Sequence, residues 1–231
     1  TTNNLYSLWL GGPVIKDKLF VFGVIQGVDY KNNTYGVSTQ TELKNTEPQY
    51  LVKVDWNLND NNLLEFTAFN DKTVDKQSTW NSTVPYGTAR EEFLGTSTIN
   101  SGGQNYVASW TSQLTNEFSL KAMAGKGEYD RGSVIAGADC PVSRETGVTT
   151  AGQTLSFGCW TSTRVTEPKA KDERTAYRLD AEWIVDKHTL RAGLDYEKYE
   201  VVDGTFASGI NGAEPLDYSV RRTAVGGTLP N

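Results

Sequence analysis

Side chains able to perform chemistry are few in this sequence and poorly placed to cooperate. The single histidine, His188, follows Asp186-Lys187 at an expected tight turn. A lone imidazole supplies neither a nucleophilic triad nor a zinc centre. The acidic doublets Glu91-Glu92 and Asp172-Glu173 provide the residue type of a glycosidase without its arrangement, since that reaction needs two carboxylates held a set distance apart across a sugar. The glycine pairs at 11–12 and 226–227 are followed by neither the lysine nor the helix start of a phosphate loop. No nucleophile elbow or cysteine-rich metal motif occurs. The expectation is a protein that is not an enzyme and takes no cofactor or metal.

Binding chemistry has better material. Trp80, Tyr86, Phe93, Phe157 and Trp160 fall in polar, turn-rich stretches. Such rings can hold a ligand or pack loops on one another, because they combine a large apolar area with, for Tyr and Trp, a polar handle. Both readings stand at this point. The two cysteines, Cys140 and Cys159, lie in one such stretch, and their state depends on the compartment. Nine charged residues, Lys53, Asp55, Glu65, Lys121, Arg178, Asp180, Glu182, Arg191 and Asp195, are set into segments that otherwise alternate with apolar residues. What these groups do depends on the elements that carry them.

Composition restricts those elements. Among 231 residues, 22 Lys+Arg stand against 28 Asp+Glu, a net charge of −6. That argues against a nucleic-acid partner, whose phosphates need basic residues to displace their counterions. Leu19 to Ile25 is the longest apolar run, far short of the roughly 20 residues of a spanning helix. A helical membrane protein is thereby excluded. A membrane β-barrel is not, because its strands alternate apolar and polar residues and so hide their hydrophobicity. The 22 Gly, 11 Tyr, 6 Trp and 8 Phe beside one Met and one His read as β structure. No charged-then-apolar export signal is visible, so any such signal is expected to have been removed or to lie outside this sequence.

Period-2 alternation then marks strands near 5–11, 18–30, 49–58, 62–70, 104–114, 117–129, 174–185 and 188–202. Tyr50, Val52, Val54, Trp56 and Leu58 alternate with Lys53, Asp55 and Asn57, and Tyr177, Leu179, Ala181 and Trp183 with Arg178, Asp180 and Glu182. Apolar faces are likewise expected at Tyr6/Leu8/Leu10, Phe20/Phe22/Val24/Val28, Leu64/Phe66/Ala68, Tyr106/Ala108/Trp110, Phe118/Leu120/Ala122/Ala124 and Leu190/Ala192/Leu194/Tyr196. The strands pair as four hairpins with short turns, whereas the connections between hairpins, 31–47, 71–103 and 130–173, are long and read as loops. Compact soluble domains rarely hold several structureless connections beyond about 12–15 residues. Short connections alternating with long ones are the pattern of an outer-membrane barrel, with periplasmic turns at one rim and extracellular loops at the other.

The expected fold class is therefore all-β, an antiparallel transmembrane β-barrel segment of about eight strands. It would sit in the outer membrane of a Gram-negative bacterium, with membrane lipid as a partner. Its apolar stripe would face lipid and its nine charged residues the lumen, where their mixed signs form a ladder that neutralises itself across strands. Aromatics near strand ends (Trp56, Phe118 and Trp183 by short turns, Tyr50 and Tyr196 by long loops) would form the interfacial girdles. An exported Cys140–Cys159 pair meets an oxidising compartment and is expected to form a disulfide, closing its loop for about 3 kcal/mol in the chain-entropy picture. The bond would either pre-shape a ligand-facing loop or protect it from proteases. A soluble β-sandwich or carbohydrate-binding module shares the alternation but gives no reason for the segregated loop lengths.

The stretch Gly11-Gly12-Pro13-Val14-Ile15-Lys16-Asp17-Lys18-Leu19-Phe20-Val21-Phe22-Gly23 resembles a hairpin near the start of the barrel in TonB-dependent receptors of the Oar-like group. Residues 50–60 (YLVKVDWNLND) and 188–197 (HTLRAGLDYE) resemble two further strands of that family. The resemblance implies ligand-gated active uptake by a barrel of about 22 strands, with an N-terminal plug and a TonB box. In such a receptor the lumen-facing charges would contact the plug or line the substrate path. Neither plug nor TonB box is found here, so the expectation is an early portion of a larger barrel whose plug and TonB lie outside this sequence. The transported ligand is not specified. A passive or structural outer-membrane barrel is the alternative.

Overall fold

Short polar turns and two kinds of strand build the molecule. A computed structural model describes residues 1–135, 142–147, 156–158, 164–207 and 217–222. The strands are β1 (Thr2–Ile15), β2 (Leu19–Tyr35), β3 (Thr39–Asn45), β4 (Gln49–Asn59), β5 (Asn62–Asn70), β6 (Thr73–Asn81), β7 (Phe93–Ser101), β8 (Gln104–Gln113) and β9 (Phe118–Asp130). They continue as β10 (Ser133–Val134), β11 (Val142–Gly147), β12 (Ser156–Gly158), β13 (Arg164–Thr166), β14 (Lys171–Val185), β15 (His188–Val202), β16 (Thr205–Ala207) and β17 (Asp217–Arg222). Two of the tight turns place Asp17 and Asp186 at φ of 59° and 55°, a region short polar side chains tolerate. In a third, the Asn61 N–H donates to Asn59 Oδ1 at 3.0 Å, an Asx turn.

Twelve strands form one sheet in the order β10-β7-β6-β3-β2-β4-β5-β8-β9-β14-β15, with β1 on the other side of β2. Every pairing within it is antiparallel. The order follows from β2 being long enough to pair twice along one edge, with β4 through Leu19–Gln26 and with β3 through Tyr30–Tyr35. Thus β3 and β4 are two halves of one passage, separated at Thr46-Glu47-Pro48, where Pro48 has no N–H to give a ladder. β5 and β6 are divided in the same way at Asp71-Lys72, and β7 and β8 at Gly102-Gly103. Gly102 has φ +75°, and a Cβ there would lie 2.4 Å from the Asp71 carbonyl oxygen. Two small additional sheets, β12-β11-β17 and β13-β16, complete the described strands.

Two findings correct the sequence-based expectations. The segments 31–47, 71–103 and 130–173 are not simply loops: the far end of β2, all of β3, β6, β7, β10, β11, β12 and β13, and the start of β14 lie in them. Their polar, two-sided composition carries no apolar alternation and so looks like loop. In β2, Phe20 and Phe22 pair directly with Asp55 and Lys53, which puts them on the charged face and not the apolar one. That strand is apolar at both parities, so only its pairing with β4 decides which side goes where. Among the described residues the sheet is open, β1 and β15 pairing only with β2 and β14, the state a barrel segment would have.

Burial is inverted relative to a soluble domain. Among the described residues the buried apolar side chains are just Ala68 and Ala170, while Gln40, Glu42, Asn45, Thr79, Ser82, Ser97, Ser112 and Ser133 are buried polar ones. Leu10 is 81% and Leu194 76% exposed. Accessible surface totals 15493 Å², where a compact soluble monomer of this mass exposes about 10,000 Å². No second layer of described residues covers either face of the main sheet.

Candidate functional site

Two adjacent rows across the sheet define its chemistry. Val54, Phe66, Ala108, Ala124, Tyr177 and Tyr196 are direct cross-strand partners over six strands. One residue further along, Asp55, Glu65, Ser109, Met123, Arg178 and Asp195 form the parallel row on the opposite face. The same parity gathers Lys53, Lys121, Asp180, Glu182 and Arg191 with that second row, so all nine charged residues singled out in the sequence share one face. They pair locally: Lys53 lies 3.1 Å from Asp55 and 3.5 Å from Glu65, Arg191 2.6 Å from Glu182, and Arg178 2.7 Å from Asp180. Ser109 donates to Glu65 at 3.0 Å. Four cations against five anions leave no strong field of one sign.

The apolar face carries a hollow of about 770 Å³ lined by Val54, Trp56, Phe66, Trp110, Leu179 and Leu194. Glu65, Arg178 and Asp195 border it but point to the other face by register. Without convergent polar groups it is apolar surface and not a ligand pocket. On the charged face, Trp9, Phe20 and Phe22 surround a 270 Å³ depression beside Lys53 and Asp55. Sequence reading missed this aromatic patch, having assigned Phe20 and Phe22 to the opposite side.

Beyond these rows the sheet continues as β3, β6, β7 and the end of β2, and there a carboxylate is the centre. Glu42, its side chain 7% exposed, accepts from Lys31 at 2.8 Å, Lys44 at 2.6 Å and Arg90 at 3.0 Å. Hydrogen bonds from Lys31, then Lys44 and Arg90, hold its carboxyl down to about 2, against an ordinary glutamate near about 4.3. The Arg90 guanidinium lies 4.0 Å from the centroid of Trp80, and Trp80 packs on Phe93 with centroids 5.6 Å apart. Gln40 donates to the carbonyls of Gly87 and Ala89, and Tyr86 N–H donates to Gly36 O at 2.8 Å. The 82–92 connection is therefore strapped onto β3.

Of the loop aromatics, Trp80 thus meets both Phe93 and Arg90, while the Tyr86 ring stands exposed. Phe157 is in β12, and its side chain, Trp160 and both Cys140 and Cys159 lie outside the described residues. Glu42, Gln40 and Arg90 escaped the sequence reading, because polar residues at alternate positions give no hydrophobic period.

The sequence pattern of the outer membrane beta barrel domain matches residues 29–220. The chain belongs to that family. No curated protein and no solved structure matches it. As an outer membrane beta barrel domain it resides in the bacterial outer membrane, in a family that is typically non-enzymatic. Membership accounts for the inverted burial, since barrels of the outer membrane keep apolar side chains such as Val52 and Phe66 uncovered on one face and need no buried core.

Proposed function

We propose that this domain is part of the barrel of a TonB-dependent, Oar-like receptor that takes up a ligand actively across the outer membrane. The observation that carries the reading is the Trp9, Phe20 and Phe22 patch on the charged face. A water-filled pore keeps its interior polar; rings turned inward need apolar cover, and a plug domain supplies it. These rings flank the hairpin whose Gly11-Gly12-Pro13 and Lys16-Asp17-Lys18 resemble that receptor group. The unpaired edges of β1 and β15 support a larger barrel as well, since open edges in lipid leave backbone groups unsatisfied. The nine charged residues would then line the lumen as a self-neutralising ladder, and Trp80, Tyr86 and Phe93 would stand at the extracellular end.

The test is the gene together with its product in a bilayer. A plug domain and TonB box encoded ahead of the barrel, and a purified full-length protein that does not conduct ions in a planar membrane, are the expected results. An open reading frame entering the barrel directly, or a constitutively open channel, would leave a passive barrel instead.

A further inference from the structure

The extracellular extension holds an arrangement that a sheet avoids unless something stabilises it. Lys31 pairs directly with Lys44, and Lys44 directly with Lys76, so three lysines stand side by side across β2, β3 and β6. Like charges directly opposite one another are destabilising. Glu42 in the next row neutralises one charge while contacting Lys31, Lys44 and Arg90. Lys76 is exposed and has no ion-pair partner among the described residues. With Asp29 exposed two residues before Lys31 on the same face, four cations stand against two carboxylates, Asp29 and the buried Glu42, a surplus of positive charge in a chain that is acidic overall. Glu42 also fixes three of them in place, so an incoming anion meets a pre-ordered site.

The face decides what that anion is. The β1–β2 register runs without a shift from Gly12 to Thr2, partner of Lys31. Lys31 therefore continues the parity of Ile25 and Gly27, which pair with Leu8 and Tyr6 on the apolar stripe. Lys44 and Lys76 follow by register. The lysine row thus points to the side that faces lipid lower down. From Leu19, the partner of Trp56 at the short-turn rim, to Lys31 the strand climbs about 40 Å at roughly 3.3 Å per residue, or about 30 Å along the membrane normal at usual barrel tilt. That is about the thickness of the hydrocarbon core, which sets Lys31 at the level of phosphorylated sugars on an outer-leaflet glycolipid.

We infer that Lys31, Lys44, Lys76 and Arg90 form a binding site on the outside of the barrel for the phosphate groups of the outer-leaflet glycolipid. The occupant is anchored in the same bilayer that the stripe below already contacts, so the site extends an interface the fold requires. This inference rests on outer-membrane residence and not on the transport proposal.

The test uses the full-length protein extracted in mild detergent, with phosphorylated lipopolysaccharide as the probe in native mass spectrometry. Each lysine near an anionic surface contributes about fivefold in affinity. The triple variant Lys31→Gln/Lys44→Gln/Lys76→Gln should therefore retain the glycolipid at least about tenfold less, and Lys76→Glu, which leaves the Glu42 contacts in place, about fivefold less or lower. Heat-modifiable gel mobility confirms that each variant is folded; if the triple variant is not, Lys76→Glu alone decides. Wild-type protein should prefer intact over enzymatically dephosphorylated lipopolysaccharide, and millimolar inorganic phosphate should not displace it. Equal retention by Lys76→Glu, indifference to dephosphorylation, or displacement by free phosphate would each overturn the assignment.

Discussion

The two storeys of this sheet are built from the same backbone and obey opposite rules. In the lower storey, β4, β5, β8, β9, β14 and β15 expose Val52, Phe66, Leu179 and Leu194 on one side and pair charges on the other. In the upper storey, β3, β6 and β7 bury Gln40, Glu42, Thr79 and Ser97 and expose lysines. In the proposed barrel, a change of solvent accounts for the contrast. Lipid on one face allows apolar side chains to remain uncovered, so the lower storey needs no core. Water on both faces of the upper storey removes that allowance, and order there rests on hydrogen bonds and ion pairs among polar groups and on a strap over them.

The hardest blow to this contrast is a charge in the stripe. Phe66→Arg should destabilise the full-length protein in lipid vesicles by about 2–4 kcal/mol in denaturant unfolding, the cost of Arg near a bilayer midplane. Thr67→Arg, its neighbour on the charged face, should cost under about 1 kcal/mol, since lumen positions accept charge. Equal losses would show that the faces do not differ. The matching blow above is Glu42→Gln. Removing the carboxylate leaves three cations and a lysine row without their counter-charge. A loss of about 2 kcal/mol is expected, below the roughly 3–5 kcal/mol of a fully buried pair because the cations keep part of their hydration. It should appear as faster proteolysis within 82–92 with unchanged unfolding of the lower strands; a uniform loss would mean the storeys are one cooperative unit.

Legibility in the sequence divides along the same line. Strands such as β4, β5 and β15 show clean alternation because one of their faces is apolar and the other charged, and the alternation predicts 49–58, 62–70 and 188–202 where the structure has Gln49–Asn59, Asn62–Asn70 and His188–Val202. The segments TELKN in β3 and TVDKQSTWN in β6 carry polar residues on both sides, lose the period, and pass for loop. β2 fails differently: Leu19, Phe20, Val21 and Phe22 are all apolar, and parity cannot be assigned without a partner strand. The lower charged ladder was visible because Lys53, Asp55 and Arg178 interrupt apolar runs. The Glu42 site was not, because its members come from β2, β3 and the 82–92 connection and meet only through pairing register.

Acid should separate the storeys without a mutation. The Glu42 carboxyl is held below its unfolded value, so its contribution is complete above about pH 4.5. It is lost progressively as pH falls toward about 2, the folded value set by Lys31, Lys44 and Arg90. Amide exchange along β3 and 82–92 should accelerate over that interval, and in the Glu42→Gln variant the acceleration should be absent. Persistence of the pH effect in the variant would assign it to other carboxylates.

The smallest expected effect is the most specific. Arg90 reaches Glu42 and Asn33 through the same guanidinium nitrogen, at 3.0 and 3.3 Å, while its plane covers Trp80. Lysine at this position keeps the charge but replaces the broad, weakly hydrated guanidinium over the ring with a compact, strongly hydrated ammonium. Arg90→Lys should therefore weaken the strap by about 0.5–1 kcal/mol, the range of a partly exposed cation–π contact. Amide exchange of Ser82, Tyr86 and Gly87, whose N–H groups donate to Ser38, Gly36 and Val84, reads that loss residue by residue. Trp80→Leu should give a similar loss in the wild-type protein and almost none in the Arg90→Lys background, because the two substitutions remove one interaction. Additive losses would mean that the ring and the guanidinium stabilise the strap independently, and that the upper storey is held by the Glu42 charge cluster alone.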